Sequence, residues 1–189
     1  EGQTINGTLN KITEREVSIT RVGSNEPSVI PVNQIESIQY EGEPAQLRLV
    51  RPSIANGNFE GAKQALENPN LDPSKVNRQE AKQEILFFRA LTAARLARTP
   101  DDVKAAGAQM FEFVQNNPTN WHYFEAVQVL GDLLVAVGNI DQASQQYAKL
   151  ESAPWPDVQM RGAVARGPAL QSQGKFAEAL AAYEKALQL

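Results

Sequence analysis

Few side chains here could carry covalent or metal chemistry. The one histidine, His122, lies in Asn120-Trp121-His122-Tyr123-Phe124; no multi-histidine metal site can form around it, and its setting predicts packing at a helix start. The chain has no cysteine, which removes thiolate nucleophiles, disulfides and thiolate zinc sites. Asp101-Asp102 follow Thr99-Pro100 and read as a helix start, where two carboxylates favour the exposed amides and the dipole. Glu80 and Glu84, beside Arg78 and Lys82, have the spacing of a solvated helical face. No nucleophile elbow, phosphate loop, metal-spaced histidines or dinucleotide fingerprint occurs. The expectation is a protein that is not an enzyme and holds neither cofactor nor metal.

The elements that position these groups come in two kinds. The 189 residues carry 18 Lys plus Arg against 22 Asp plus Glu, a formal charge of −4. All of that excess falls in residues 1–45, where three basic side chains face seven acidic ones; the remaining 144 residues hold equal numbers of each sign. With 42% apolar residues and no run near the ~20 apolar residues of a membrane span, the composition is that of a globular chain able to bury a core. No membrane insertion is expected.

The head alternates in steps of two. Ile5, Leu9 and Ile12, then Val17, Ile19 and Val22, then Val29 to Val32, then Ile35, Ile38 and Tyr40 are separated by Gly23-Ser24-Asn25 and by Pro31. This predicts four or five short strands over residues 1–42, curled into a small SH3-like or Sm-like barrel whose open end the first helix covers. From Glu43 the pattern changes to helical stretches rich in Ala, Leu and Gln, punctuated by Asn68-Pro69, Asp72-Pro73, Thr99-Pro100, Asn117-Pro118 and Pro154-Trp155-Pro156. Such pairs end one helix and start another, so residues 43–189 read as antiparallel helical hairpins.

The hairpins repeat. Gly57-Asn58-Phe59-x-x-Ala62, Gly138-Asn139-Ile140-x-x-Ala143 and Gly174-Lys175-Phe176-x-x-Ala179 share one pattern, and Val103-x-x-Ala106 is a degraded copy. The alanines step by 44, 37 and 36 residues, near the period of a helical solenoid. The glycine allows a left-handed turn at the end of the first helix, and the alanine lets the two helices approach closely. Tyr147 and Tyr183 lie one turn beyond their alanines, on the stripe that faces the core.

At these positions the sequence resembles the tetratricopeptide repeat family. The last two units carry Gly131, Leu134, Gly138, Ala143 and Tyr147, then Gly167, Leu170, Gly174, Ala179, Tyr183 and Ala186. The second unit fills the slots with Ala94, Ala97, Ala106, Met110 and Phe113, and the first keeps chiefly Gly57, Phe59 and Ala62. Val127 and Ala163 stand where the family has tryptophan. A small β-module followed by such an array is also similar to certain bacterial proteins. The resemblance implies a mainly α fold of about four hairpins and a non-catalytic scaffold for protein–protein interaction, whose first helices line a concave groove for a peptide or partner protein.

Projected onto this chain, the groove positions are Leu47, Arg51 and Ile54; Phe88, Leu91, Arg95 and Arg98; Glu125, Gln128, Asp132 and Val135; and Arg161, Val164 and Gln171. Two readings of their charges compete. Arg51, Arg95 and Arg98 can receive an acidic peptide through paired guanidinium hydrogen bonds; alternatively Arg95 and Asp132 pair across the groove and close it. Glu125, Gln128 and Asp132 replace the basic and amide residues of the chaperone-tail-binding members, which argues against an adaptor role of that kind. A nucleic-acid partner is not expected, because the head is acidic and repels phosphate.

Trp155, between two prolines, reads as a plug at the next helix start, and Pro52 and Pro168 predict kinks inside first helices. The last helix has no polar cap after it, so Leu180, Leu187 and Leu189 are expected to be partly exposed in a monomer or covered in a homo-oligomer. The absence of cysteine and the start at Glu1 favour an exported, extracytoplasmic protein. The alternative to a peptide-binding scaffold is a structural subunit of a larger envelope or secreted assembly, with no free groove.

Overall fold

The computed structural model describes residues 3–189. Among the described residues eight helices follow a small sheet, and they pair as the punctuation predicts. The hairpins are α1 (Leu47–Ala55) with α2 (Phe59–Leu66), α3 (Gln79–Leu96) with α4 (Pro100–Asn116), α5 (Tyr123–Ala136) with α6 (Ile140–Leu150), and α7 (Pro156–Ser172) with α8 (Phe176–Gln188). Each helix packs on its neighbours in sequence, giving a stack of helical hairpins.

Local chemistry sets the boundaries. Gly57, Gly138 and Gly174 have φ of +69°, +77° and +72°, a left-handed conformation that costs glycine little. Each turn closes with the same two backbone bonds; at Gly138 they run from Gly138 N–H to Val135 and from Asn139 N–H to Leu134, the paired pattern that satisfies carbonyls at a helix end. The second hairpin lacks the glycine. There Thr99 and Asp102 form a reciprocal capping box with Pro100 at the first helical position, so α4 is started by side chains. Asn68-Pro69 and Asp72-Pro73 begin two short 3₁₀ turns (residues 69–71 and 73–75) between α2 and α3, where the sequence suggested helix starts. Both α1 and α7 run on through their internal prolines.

The seam between helices is small against large, as the repeat demands. Ala62, Ala106, Ala143 and Ala179 are buried. A Cβ added at Gly131 would lie 2.5 Å from the Tyr147 ring, and one at Gly167 2.3 Å from the Tyr183 ring; only a hydrogen there lets the rings lie on the helix backbone.

The head departs from expectation. Three strands form, β1 (Gly7–Ile12), β2 (Glu16–Arg21) and β3 (Pro27–Pro31), in an antiparallel meander of order β1-β2-β3 with an irregularity between Leu9 and Lys11. Ile35, Ile38 and Tyr40 add no further strand, so an open sheet stands where a barrel was expected and α1 has no barrel end to close. Three short strands cannot bury a core of their own. Leu9, Ile12 and Ile38 pack instead against the core of the helices, which Tyr40 joins. The head meets the array at the starts of first helices: Tyr40 lies under the Arg78 guanidinium at 5.2 Å, and Asn33 donates to Asp157 at 3.3 Å. Among the described residues no helix is long and apolar enough to cross a membrane.

Candidate functional site

The projected groove residues separate into two groups. Arg51 and Phe88 are buried, as is Leu91, and none of them can touch a ligand. Arg51 lies between two carboxylates: Nη1 and Nη2 donate to Glu43 at 2.6 Å each, while Nε and Nη2 donate to Glu84 at 3.0 and 2.6 Å. The guanidinium fork predicted for an acidic peptide is therefore used within the chain, tying the segment before α1 to α3. Glu84, read from the sequence as solvated, is 1% exposed; the residue able to meet a charge there, Arg51, stands 33 positions earlier, beyond any helical-face argument.

The electrostatics of this triad follow from its count of one cation to two anions. Burial alone would lower the Arg51 pKa, but the hydrogen bonds it donates to Glu43 and Glu84 hold it above the ordinary arginine value. Glu84 moves upward as well, because burial outweighs the help it receives from Arg51. Arg51 has two anions against it, whereas Glu84 is deeper and has one guanidinium.

The second group faces solvent. Arg95, Arg98, Glu125, Asp132, Val135, Arg161, Val164 and Gln171 are exposed, and Gln128 is half-buried. The closure of the groove by an Arg95–Asp132 pair does not occur: Asp132 instead accepts from the Tyr147 hydroxyl at 2.8 Å. Burial and that carboxylate push the Tyr147 pKa above the ordinary phenol value, so the hydroxyl stays a donor. The bond between neighbouring first helices runs from Arg161 to Gln128 at 3.1 Å, and Arg161 also lies 3.8 Å from Asp157 one turn earlier. The open face thus has Arg95 and Arg98 at the α3 end, and Glu125, Asp132 and a partly neutralised Arg161 across α5 and α7.

The aromatic residues serve packing. The His122 ring stacks on Phe87 at 4.0 Å and lies 3.7 Å from Trp121, and both its nitrogens are buried without a hydrogen-bond partner. Trp155 sits edge-on to Phe124 at 5.7 Å, plugging the start of α7. Among the described residues no group of three or more His, Asp or Glu is placed to hold a metal ion.

One feature escaped the sequence reading. A half-open cleft of about 580 Å³ lies between α2, α3 and α4, with Leu66, Arg89, Thr92, Leu96 and Ala106 among its walls and none of the projected groove residues. It lies where the 8-residue α2 and the 17-residue α4 flank α3.

No family model matches the chain, and no curated protein matches it. Among solved structures it is similar to the crystal structure of MamA, with 19% identity and a TM-score of 0.45 over 74% of this chain and 93% of that one. A likeness so loose carries neither a ligand nor a role.

Proposed function

We propose that the chain is a non-catalytic scaffold that binds a peptide or partner protein on the open face of its first helices. The observation that supports this most directly is the row Glu125, Gln128, Asp132 and Val135, spaced three, four and three residues apart on α5 and turned outward, with Arg161, Val164 and Gln171 beside it on α7. Most of these side chains stand open to a ligand, although Arg161 and Gln128 also bond each other at 3.1 Å. Loss of Arg51 to the interior revises the chemistry of that ligand. A purely acidic peptide would meet two arginines, Arg95 and Arg98, and then two carboxylates. A segment acidic at one end and basic at the other, with apolar side chains against Val135 and Val164, suits the whole face.

The test uses a fluorescent peptide whose acidic half precedes a basic half, titrated by anisotropy. Reversal of Arg95 and Arg98 to Glu is expected to weaken binding at least tenfold, and Glu125→Lys to weaken it less. Unchanged affinity in both variants, or no binding by the native chain to this peptide and its reversed sequence, overturns the reading. The structural-subunit alternative draws support from Leu47, Arg51, Phe88 and Leu91, projected groove positions of the first two hairpins that are buried within the chain; it gains if charge reversal leaves every interaction untouched.

A further inference from the structure

The outer face of α8 carries a regular apolar stripe. Phe176, Leu180 and Leu187 are 69%, 58% and 88% exposed, and half-buried Tyr183 lies between them. Other positions of the helix are engaged. Ala179 and Ala182 are buried, Tyr183 lies over Gly167 of α7, and Lys185 reaches back to Glu151 at the end of α6 at 2.8 Å. Lys185 is on the side of α8 opposite the stripe, half a turn away by helical geometry, so the stripe faces away from the array.

The stripe continues an interface the fold already contains. Aligned on the repeat alanines, Phe176, Leu180, Tyr183 and Leu187 of α8 correspond to Ile140, Ser144, Tyr147 and the post-helical Glu151 of the preceding unit. That surface receives α7: Gly162 comes down on Leu150 and the Tyr147 carbonyl, and Ser144 and Glu151 accept from Arg166 at 3.3 and 3.2 Å. On α8 both of these polar anchors are leucine. A helix docking here as α7 docks on α6 has to bring apolar side chains where α7 brings an arginine.

The stripe itself meets that requirement. Its spacing of four, three and four residues is the seam spacing of paired helices, and it reads the same from either end. We propose that the chain self-associates as a two-fold dimer through antiparallel α8 helices, Phe176 packing on the partner's Leu187 and Leu180 on the partner's Tyr183. The pairing is isologous, so it closes at two copies. The charged residue flanking the seam, Glu184, falls beside the partner's Ala177 and meets no second carboxylate. One helix from each copy buries on the order of 1,000 Å² in total, the small end for specific interfaces, so the dimer is weak and concentration-dependent.

Sedimentation equilibrium of the 189-residue chain from about 1 to about 200 µM, a range suited to a micromolar dissociation constant, is expected to show a monomer–dimer equilibrium. Leu180→Glu is expected to abolish it while leaving the circular dichroism spectrum unchanged. Geometry is read by cross-linking in a chain with no native cysteine. Phe176→Cys combined with Leu187→Cys should oxidise to a covalent dimer in high yield, and each single variant should not, because like positions lie more than ten residues of helix apart in the antiparallel pair. A native chain that is monomeric throughout, or Phe176→Cys alone cross-linking as well as the double variant, overturns the proposal. Neither outcome bears on the peptide-binding face, which lies on α3, α5 and α7.

Discussion

The first two hairpins and the last two use the same repeat positions for opposite purposes. In the first half Arg51, Phe88 and Leu91 are buried and Tyr40 of the head lies under Arg78 at the start of α3, so these three groove positions have become struts while Arg95 and Arg98 stay exposed. In the second half the corresponding Glu125, Asp132, Arg161 and Val164 meet solvent, and cohesion comes from helices drawn together at Gly131 and Gly167. A repeat therefore specifies where a side chain points, while the neighbouring chain decides whether that direction is interior or surface.

The sharpest way to break this contrast is to remove the same residue type from each half. Arg51→Leu leaves Glu43 and Glu84 buried around an apolar side chain. Loss of one partner from a buried ion network costs about 3–5 kcal/mol, which for a chain of this size lowers the melting temperature by ~10 °C. Arg161→Ala removes an exposed arginine with a 3.1 Å bond to Gln128, and exposed contacts of this kind contribute less than about 1 kcal/mol. Thermal unfolding of both variants measures the difference. Similar losses in the two would mean that the halves are not held differently.

Next in size is the seam of the open half. Gly131→Ala gains about 1 kcal/mol of helix propensity but drives a methyl group into the Tyr147 ring, which is buried and anchored by its bond to Asp132. Overpacking costs about 1–3 kcal/mol, so a net loss is expected. Gly167→Ala makes an equally close approach to Tyr183, yet that ring is half-buried and its hydroxyl is 3.4 Å from Gln171, so it can swing away. Urea midpoints should fall for Gly131→Ala and move less for Gly167→Ala. The reverse order would place the rigid seam at the end of the array.

These particular residues show what was legible in the sequence. The three glycine turns, the buried alanines and the two tyrosines could be read from spacing, because each depends on backbone geometry and helix period within a single hairpin. The status of Arg51 could not. Its partners lie 8 positions before it and 33 after it, and a repeat alignment says nothing of a side chain from outside the repeat. The barrel failed for a related reason: alternation at Ile35, Ile38 and Tyr40 marked burial correctly for Tyr40, but the surface that buries it belongs to helices. The Arg95–Asp132 pair assumed that opposite charges on neighbouring helices meet, whereas Tyr147 was close enough to take the carboxylate first.

The finest test of the closed half is its response to acid. Glu84 is buried with its pKa raised above the ordinary value of 4.5, by burial first and only partly offset by Arg51. The folded chain then binds this proton more tightly than the unfolded chain, so ionising Glu84 costs stability as pH rises through the interval above 4.5, and that cost is absent below it. Glu84→Gln cannot ionise. Whatever fixed penalty the amide incurs beside Arg51, its stability relative to the native chain should improve as pH is raised from about 4 to about 7. A gap independent of pH would mean that Arg51 fully compensates Glu84, and that the triad carries its second negative charge without cost.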